Sequence, residues 1–233
     1  MKKFHLYPLI IIFFILGCDQ SNSPGGSTNS YGKTICIQED NVQFRNGLIY
    51  LPNQQEPFTG ENICAYLKNG QYSSKGKIKD GKLNGKWFAW HANGQMKNEE
   101  NYKYGELDGK SSYWRENGQI FEQGNYKDGN LIGLTKYDYY ENGQVEKEES
   151  YKDGELDGKS SSWYENGQIF QQGNYKEGEL DGKWFGWYEN GQKAAVAFYK
   201  EGMEHGEWFE WDENGQVAFE AQFNNGKCIS GDC

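Results

Sequence analysis

Leucine, isoleucine and valine are scarce in this chain, whose mean hydropathy is −0.96. That leaves too little aliphatic material for a conventional two-layer core over 233 residues. Catalytic signatures are missing as well: there is no Gly-x-Ser-x-Gly, no His-Glu-x-x-His and no calcium-loop pattern. Past the first residues only His91 and His205 remain, and no cysteine or second histidine adjoins either in sequence. Both read as surface side chains, and neither a zinc site nor histidine acid–base chemistry is expected. Positive charge is in deficit, with 24 Lys and Arg against 34 Asp and Glu, a net charge of −10. An acidic surface repels phosphate backbones and anionic lipid, which argues against nucleic acid as a partner. The expectation is a protein that is not an enzyme, with no cofactor and no metal.

The one long apolar run is at the N-terminus. Lys2 and Lys3 precede a stretch from Leu6 to Leu16 that ends at Gly17-Cys18. About eleven residues are too few to span a bilayer and read as the core of a signal peptide. The ending Ile15-Leu16-Gly17-Cys18 resembles the lipobox of bacterial lipoproteins, which implies a signal peptide over residues 1–17, lipid on Cys18 and a place in the cell envelope. Which membrane carries the anchor stays open. Residues 18–30 are rich in Ser, Asn and Gly and read as a flexible tether. With Cys18 lipidated, four cysteines remain, Cys36, Cys64, Cys228 and Cys233, which permit three pairings.

What the chain has in plenty is glycine, 31 residues, and aromatic rings, 16% of the sequence. Asn-Gly recurs from 69–70 to 214–215 at intervals of 24, 24, 25, 24, 24 and 24 residues. Three residues before each Asn stands an aromatic: Tyr66, Trp90, Trp114, Tyr139, Trp163, Trp187 and Trp211. Twelve residues further on come Ile78, Tyr102, Tyr126, Tyr151, Tyr175, Tyr199 and Phe223. Regular spacing of this kind calls for a repeat architecture. Asn-Gly between ring-rich segments predicts a strand, a tight type I′ turn and a return strand. A wider Gly-x-Leu-x-Gly turn then leads to the next unit. The predicted fold is all-β: an elongated, single-layer, twisted antiparallel meander of ~24-residue hairpins, its rings stacked in ladders.

Three details follow. The single 25-residue interval is expected to be absorbed by a β-bulge between Leu134 and Tyr139, because a one-residue slip would invert every later side chain. Strands ~4.8 Å apart put the two ends of such an array ~60 Å apart. A disulfide needs Cα atoms within ~7 Å, so the expected pairs are Cys36–Cys64 and Cys228–Cys233. Finally, Gly109-Lys110-Ser111 follows Gly105 like a phosphate loop, but three residues separate the glycines instead of four, and a strand follows instead of a helix. It reads as a turn leading into a strand. Acidic residues of the same turns, such as Glu106 with Asp108 and Glu179 with Asp181, read as a solvated edge rather than a Ca²⁺ site.

Units such as "GKWFGWYENGQKAAVAFYKEG" resemble the MORN-repeat variant family of bacteria, and "FRNGLIYLPNQQEPFTGENICAYLKNGQ" (44–71) resembles the module that precedes its first full unit. The resemblance implies an N-terminal cap over 31–65 and seven hairpin repeats with a C-terminal cap over 66–233. It also implies function by binding. The first reading is a lipid-anchored envelope scaffold for a protein partner. Many members are labelled antitoxins, so a second reading is neutralisation of a toxin by direct contact. A third reading is a cell-wall or glycan binder using exposed rings. The candidate binding residues are the two ladders, Trp90, Trp114, Tyr139, Trp163, Trp187 and Trp211 with Tyr102, Tyr126, Tyr151, Tyr175 and Tyr199.

Overall fold

The computed structural model describes residues 33–38, 42–65 and 70–233; the signal segment, Cys18, the tether and Tyr66 lie outside them. The described residues form one extended sheet of nineteen strand segments and a separate two-stranded ribbon, Gln43–Arg45 with Leu48–Tyr50. From Gly60–Ala65 onward every strand pairs antiparallel with the next, through to Lys227–Gly231. The first strand, Lys33–Ile35, runs parallel to Gly60–Ala65, so the sheet is mixed at one edge and not purely antiparallel as expected. Among the described residues no pairing joins the last strand to the first, and the sheet stays open.

The tight and wide turns are exchanged relative to the sequence reading. Both residues have positive φ in Asp80-Gly81, Tyr104-Gly105, Asp128-Gly129, Asp153-Gly154, Glu177-Gly178, Glu201-Gly202 and Asn225-Gly226. These are the two-residue turns, with Lys103 facing Glu106 across the first of the full units. In Asn-Gly only the glycine is left-handed. The Gly94 N–H donates to the carbonyl of His91, and the His91 N–H to that of Gln95. This is a type I turn closed by a glycine bulge, the usual form of a three-residue loop. Asn93 Oδ1 accepts from the Gln95 N–H at 3.0 Å, an Asx contact that needs no positive φ at Asn.

The extra residue of the third unit is not taken up by a bulge between Leu134 and Tyr139; the adjustment lies just after Leu131. In the other units two residues, such as Asp108 and Gly109, are looped out after the leucine, and that glycine is left-handed. Here Tyr126 faces Leu131 and Asn125 faces Gly133, so only Ile132 is skipped and Gly133 keeps an ordinary strand conformation. The third hairpin consequently sits two residues along from the regular register. An even step keeps every side chain on its own face, which is why the fold tolerates it.

Hydrophobic burial is concentrated at the N-terminal end. Ile35, Ile49, Phe58 and Ile78 form a buried cluster, flanked by Ile37, Val42, Leu51, Leu83 and Trp87. Cys36 and Cys64 are disulfide-bonded beside it, Cα atoms 4.7 Å apart, and Cys228 is bonded to Cys233 at the far end. Phe58-Thr59-Gly60 imitates a repeat unit: the Phe58 carbonyl accepts from Gly81 N–H and the Thr59 hydroxyl from Asp80 N–H. The cap thus supplies the first hairpin with the neighbour that later hairpins get from the unit before.

Candidate functional site

Side chains at the two edges tie each hairpin to the next. On the tight-turn edge the turn glycine donates to a carbonyl of the preceding unit: Gly105 to Leu83, Gly129 to Leu107, Gly178 to Leu156 and Gly202 to Leu180, all at 2.8–2.9 Å. The carboxylates of Asp108, Asp157 and Asp181 accept from the backbone of Asp128, Glu177 and Glu201. The recurrent acidic residues of these turns are therefore ties between units, a role the spacing alone did not announce. On the Asn-Gly edge Tyr140, Tyr164 and Tyr188 donate to the carbonyls of Trp163, Trp187 and Trp211 at 2.7–2.8 Å. Asn93, Asn142 and Asn166 donate to the carbonyls of Glu116, Glu165 and Glu189.

His91 occupies the same place as these tyrosines. Its Nε2 lies 2.9 Å from the Trp114 carbonyl, and since a carbonyl only accepts, Nε2 carries the proton. Its side chain is only 14% exposed, so the expectation of a surface histidine is wrong. His205 is also half-buried; its Nδ1 is enclosed without a protein partner and its ring lies 6.2 Å from Phe198. Repeat position, rather than sequence neighbours, was the signal that would have placed both.

The two predicted ladders lie on opposite faces and do not form one surface. One face carries Tyr102, Tyr126, Tyr151, Tyr175 and Tyr199, each set against a leucine or glutamate across the tight turn: Leu107, Leu131, Leu156, Leu180 and Glu204. Trp90, Trp114, Tyr139, Trp163, Trp187 and Trp211 line the other face beside the Asn-Gly turns, each at a one-residue register shift or its flank. Ring pairs run within a strand or to a nearby strand, such as Phe88–Trp90, Phe185–Trp187 and Phe209–Trp211 at 5.8–6.0 Å, rather than from one unit's Trp to the next.

The tyrosine face is a hydrogen-bonded surface as much as an apolar one. Glu100 accepts from Tyr102 at 3.0 Å and from Tyr113 at 2.9 Å, and Glu149 accepts from Tyr151 at 2.8 Å. Burial raises the phenol pKa of Tyr102 and Tyr113, and the charge of Glu100 raises both further. Burial likewise pushes Tyr151 up to about 12, aided by the Glu149 hydrogen bond. Neutral phenols at physiological pH suit recognition, not proton transfer. At the C-terminal end of this face Trp208 is ringed by Tyr199, Phe219 and Phe223 at 5.6–6.4 Å.

Among the described residues no group of three or more His, Cys, Asp or Glu converges as a metal site would require. No described helix is long and apolar enough to cross a membrane. The MORN repeat variant family model matches six segments, 83–104, 107–128, 134–153, 156–177, 180–201 and 204–225, together more than half of the chain. Every segment ends on the left-handed residue of a tight turn, from Tyr104 to Asn225, so the family's unit is the hairpin closed by Asn-Gly. No curated protein matches the chain.

Proposed function

The chain belongs to the MORN repeat variant family, and from that premise we propose that it is a non-enzymatic scaffold that binds a protein partner while held by lipid on Cys18 at a bacterial envelope membrane. The observation that carries the reading is the uncovered tyrosine face. It presents Tyr, Trp and Phe side chains across many strands, and among the described residues no second layer of structure lies over them. Tyr and Trp are the residues through which protein interfaces gain most of their energy, because they combine large area with a polar tip. The edge ties hold these rings in a fixed array, which lowers the ordering cost of binding.

Neutralisation of a toxin by direct contact is the second reading, and a toxin acting in the envelope would fit the proposed anchor. Chemical cross-linking of the full chain in its native envelope tests the reading. A stoichiometric protein partner is expected, lost when Tyr151 and Tyr175 are replaced by Lys in a chain that still folds. Undiminished cross-linking in that variant would overturn it. Fatty-acid labelling, expected for the wild type and absent in Cys18→Ala, tests the anchor separately.

A further inference from the structure

We propose that the sheet face opposite the tyrosines binds a linear acidic polysaccharide, at two equivalent subsites centred on Lys110 and Lys159. The inference is independent of the protein-binding reading, which concerns the other face. Across this face lysines and asparagines alternate from strand to strand. Lys86 faces Asn101, the Asn101 amide donates to the carbonyl of Lys110, and Lys110 faces Asn125. After the two-residue step of the third hairpin the row resumes: Lys159 faces Asn174, which lies beside Gly182-Lys183 on the next strand. Lys86 is paired with Glu99 at 2.6 Å. Lys110, Lys159 and Lys183 are exposed, and among the described residues none has a carboxylate within ion-pair distance. Unpaired lysines in a row stand out in a chain of net charge −10.

Beside the lysines stand a serine row with a carboxylate on one side, Glu99 (paired with Lys86) opposite Ser112 and Glu148 opposite Ser161, and neutral amides on the other. Ser112 faces Gln123 and Ser161 faces Gln172 in the adjoining row. Trp114 and Trp163 stand two residues further along. Ser112 and Ser161 are themselves buried, so the set that meets the ligand is ammonium, amide and an aromatic platform: charge for the carboxylate, amides for the hydroxyls, a ring for the apolar sugar face. The spacing suits a polymer. Lysines on alternate strands are ~10 Å apart, and an extended chain of pyranose rings advances by close to one strand spacing per sugar. Each lysine then meets every second sugar and each asparagine the one between. So few cations do not hold an anionic bilayer by charge alone, since each contributes only about 1 kcal/mol there.

The duplication points the same way. Residues 109–129 and 158–178 differ at four positions: Tyr113/Ser162, Arg115/Tyr164, Glu122/Gln171 and Asp128/Glu177. The first and third face each other within their hairpins on the tyrosine face, and the other two lie at turns. Lys, Ser, Trp, Gln and Asn of the proposed subsite are the same in both copies.

The test is binding of the full chain to hyaluronan, in which uronic acid and neutral sugar alternate, beside dextran, poly-L-glutamate and phosphatidylglycerol vesicles. Hyaluronan binding is expected, weakened at least tenfold by K110Q/K159Q and several-fold by N125A/N174A. K127Q, whose lysine pairs with Asp108 at the turn edge, is expected to bind as the wild type. The single K110Q variant is expected to lose less than the double, because two subsites act on one polymer. No binding to hyaluronan, equal binding to dextran, poly-L-glutamate or the vesicles, or an equal loss in K127Q would each overturn the proposal. So would full retention by N125A/N174A, provided the variants melt as the wild type does.

Discussion

The phenol of Tyr188 donates to the carbonyl of Trp211 at 2.7 Å, bridging 23 residues and two neighbouring Asn-Gly turns. Tyr164 and Tyr140 repeat the contact one and two units earlier. Removing one such hydroxyl strands a half-buried carbonyl and is expected to cost about 1 kcal/mol. Tyr188→Phe should lower the melting temperature by about 2–4 °C. Because the sites are one or more units apart and share no partner directly, Tyr140→Phe and Tyr188→Phe should add, as a urea titration of the double variant will show. His91→Tyr should restore the contact in its commoner form and leave stability unchanged or raised.

The third hairpin is the seam of the array. Gly105, Gly129, Gly178, Gly202 and Gly226 each donate to a carbonyl of the unit before, whereas no such bond reaches from Gly154 among the described residues. The Asn-Gly edge changes at the same place: Arg115 stands where tyrosine would bridge, Asn117 bonds Gln119 of its own turn, and the next turn is reached instead by the Gln119 amide, which donates to the Gly143 carbonyl at 3.3 Å. Amide hydrogen exchange read residue by residue should find Gly154 several-fold faster than the other six glycines of these turns, Gly81 with its bond to Phe58 included. Equal protection at Gly154 would mean that the slipped register is not the weaker joint.

Period and strand order were legible because they depend only on spacing. The six Asn-Gly intervals fix the repeat and with it the order of the strands. The identity of the tight turn was not legible. Asp128-Gly129 and Asn117-Gly118 are equally good type I′ sequences in isolation, and Tyr104 or Glu177 is a poor one. Strand register decides between them: a two-residue loop on one edge forces positive φ on whatever residue falls there. The same applies to Ile132. The unit with one residue more trims the loop-out after its leucine from two residues to one, so its strand takes up two residues and the register steps by an even number without inverting any side chain. The two faces were hidden for another reason. The Trp and Tyr columns are an odd number of strand positions apart in the hairpin, and the shift at each Asn-Gly turn had to be known before they could be assigned to a side.

Tyr104 holds φ 53°, a left-handed conformation that Asn and Gly adopt readily and tyrosine does not. Its ring is 67% exposed, so little packing is at stake. Tyr104→Asn should therefore stabilise the protein by about 0.5–1 kcal/mol, seen as a higher urea midpoint at unchanged slope. Glu177→Asn and Glu201→Asn should do the same at their turns. Asn225 already has the favoured residue, and Asn225→Tyr should lose a similar amount.

Two glycines without positive φ should respond in opposite ways to alanine. A methyl group on Gly76 would sit inside the Trp87 ring, which lies flat on the strand at that point. Gly76→Ala must displace Trp87 from the N-terminal cluster and should cost about 1–3 kcal/mol. At Gly133 the nearest atom is the Asn125 amide at 3.9 Å, an ordinary contact. Gly133→Ala should be neutral or stabilise by about 0.4–1 kcal/mol through the unfolded chain. Thermal melts of the two variants separate the cases.

The tyrosine face sets an alkaline limit. Burial, then the neighbouring carboxylates, raise Tyr102, Tyr113 and Tyr151 above the ordinary phenol value of 10.0, Tyr151 to about 12. A raised folded pKa contributes stability that is complete below the unfolded pKa and is lost as pH climbs toward the folded one. Stability should therefore hold to about pH 10 and fall steeply between about pH 10 and 12, the window given by the unfolded and folded values of Tyr151. Tyrosinate absorbance should lag behind that of free tyrosine and then rise together with loss of the β-sheet circular dichroism. Glu149→Gln removes the smaller causes at Tyr151 and leaves burial, so its phenol should come down only part of the way. A return to 10 in that variant would show that the carboxylate, and not the packing of this face, controls the phenol.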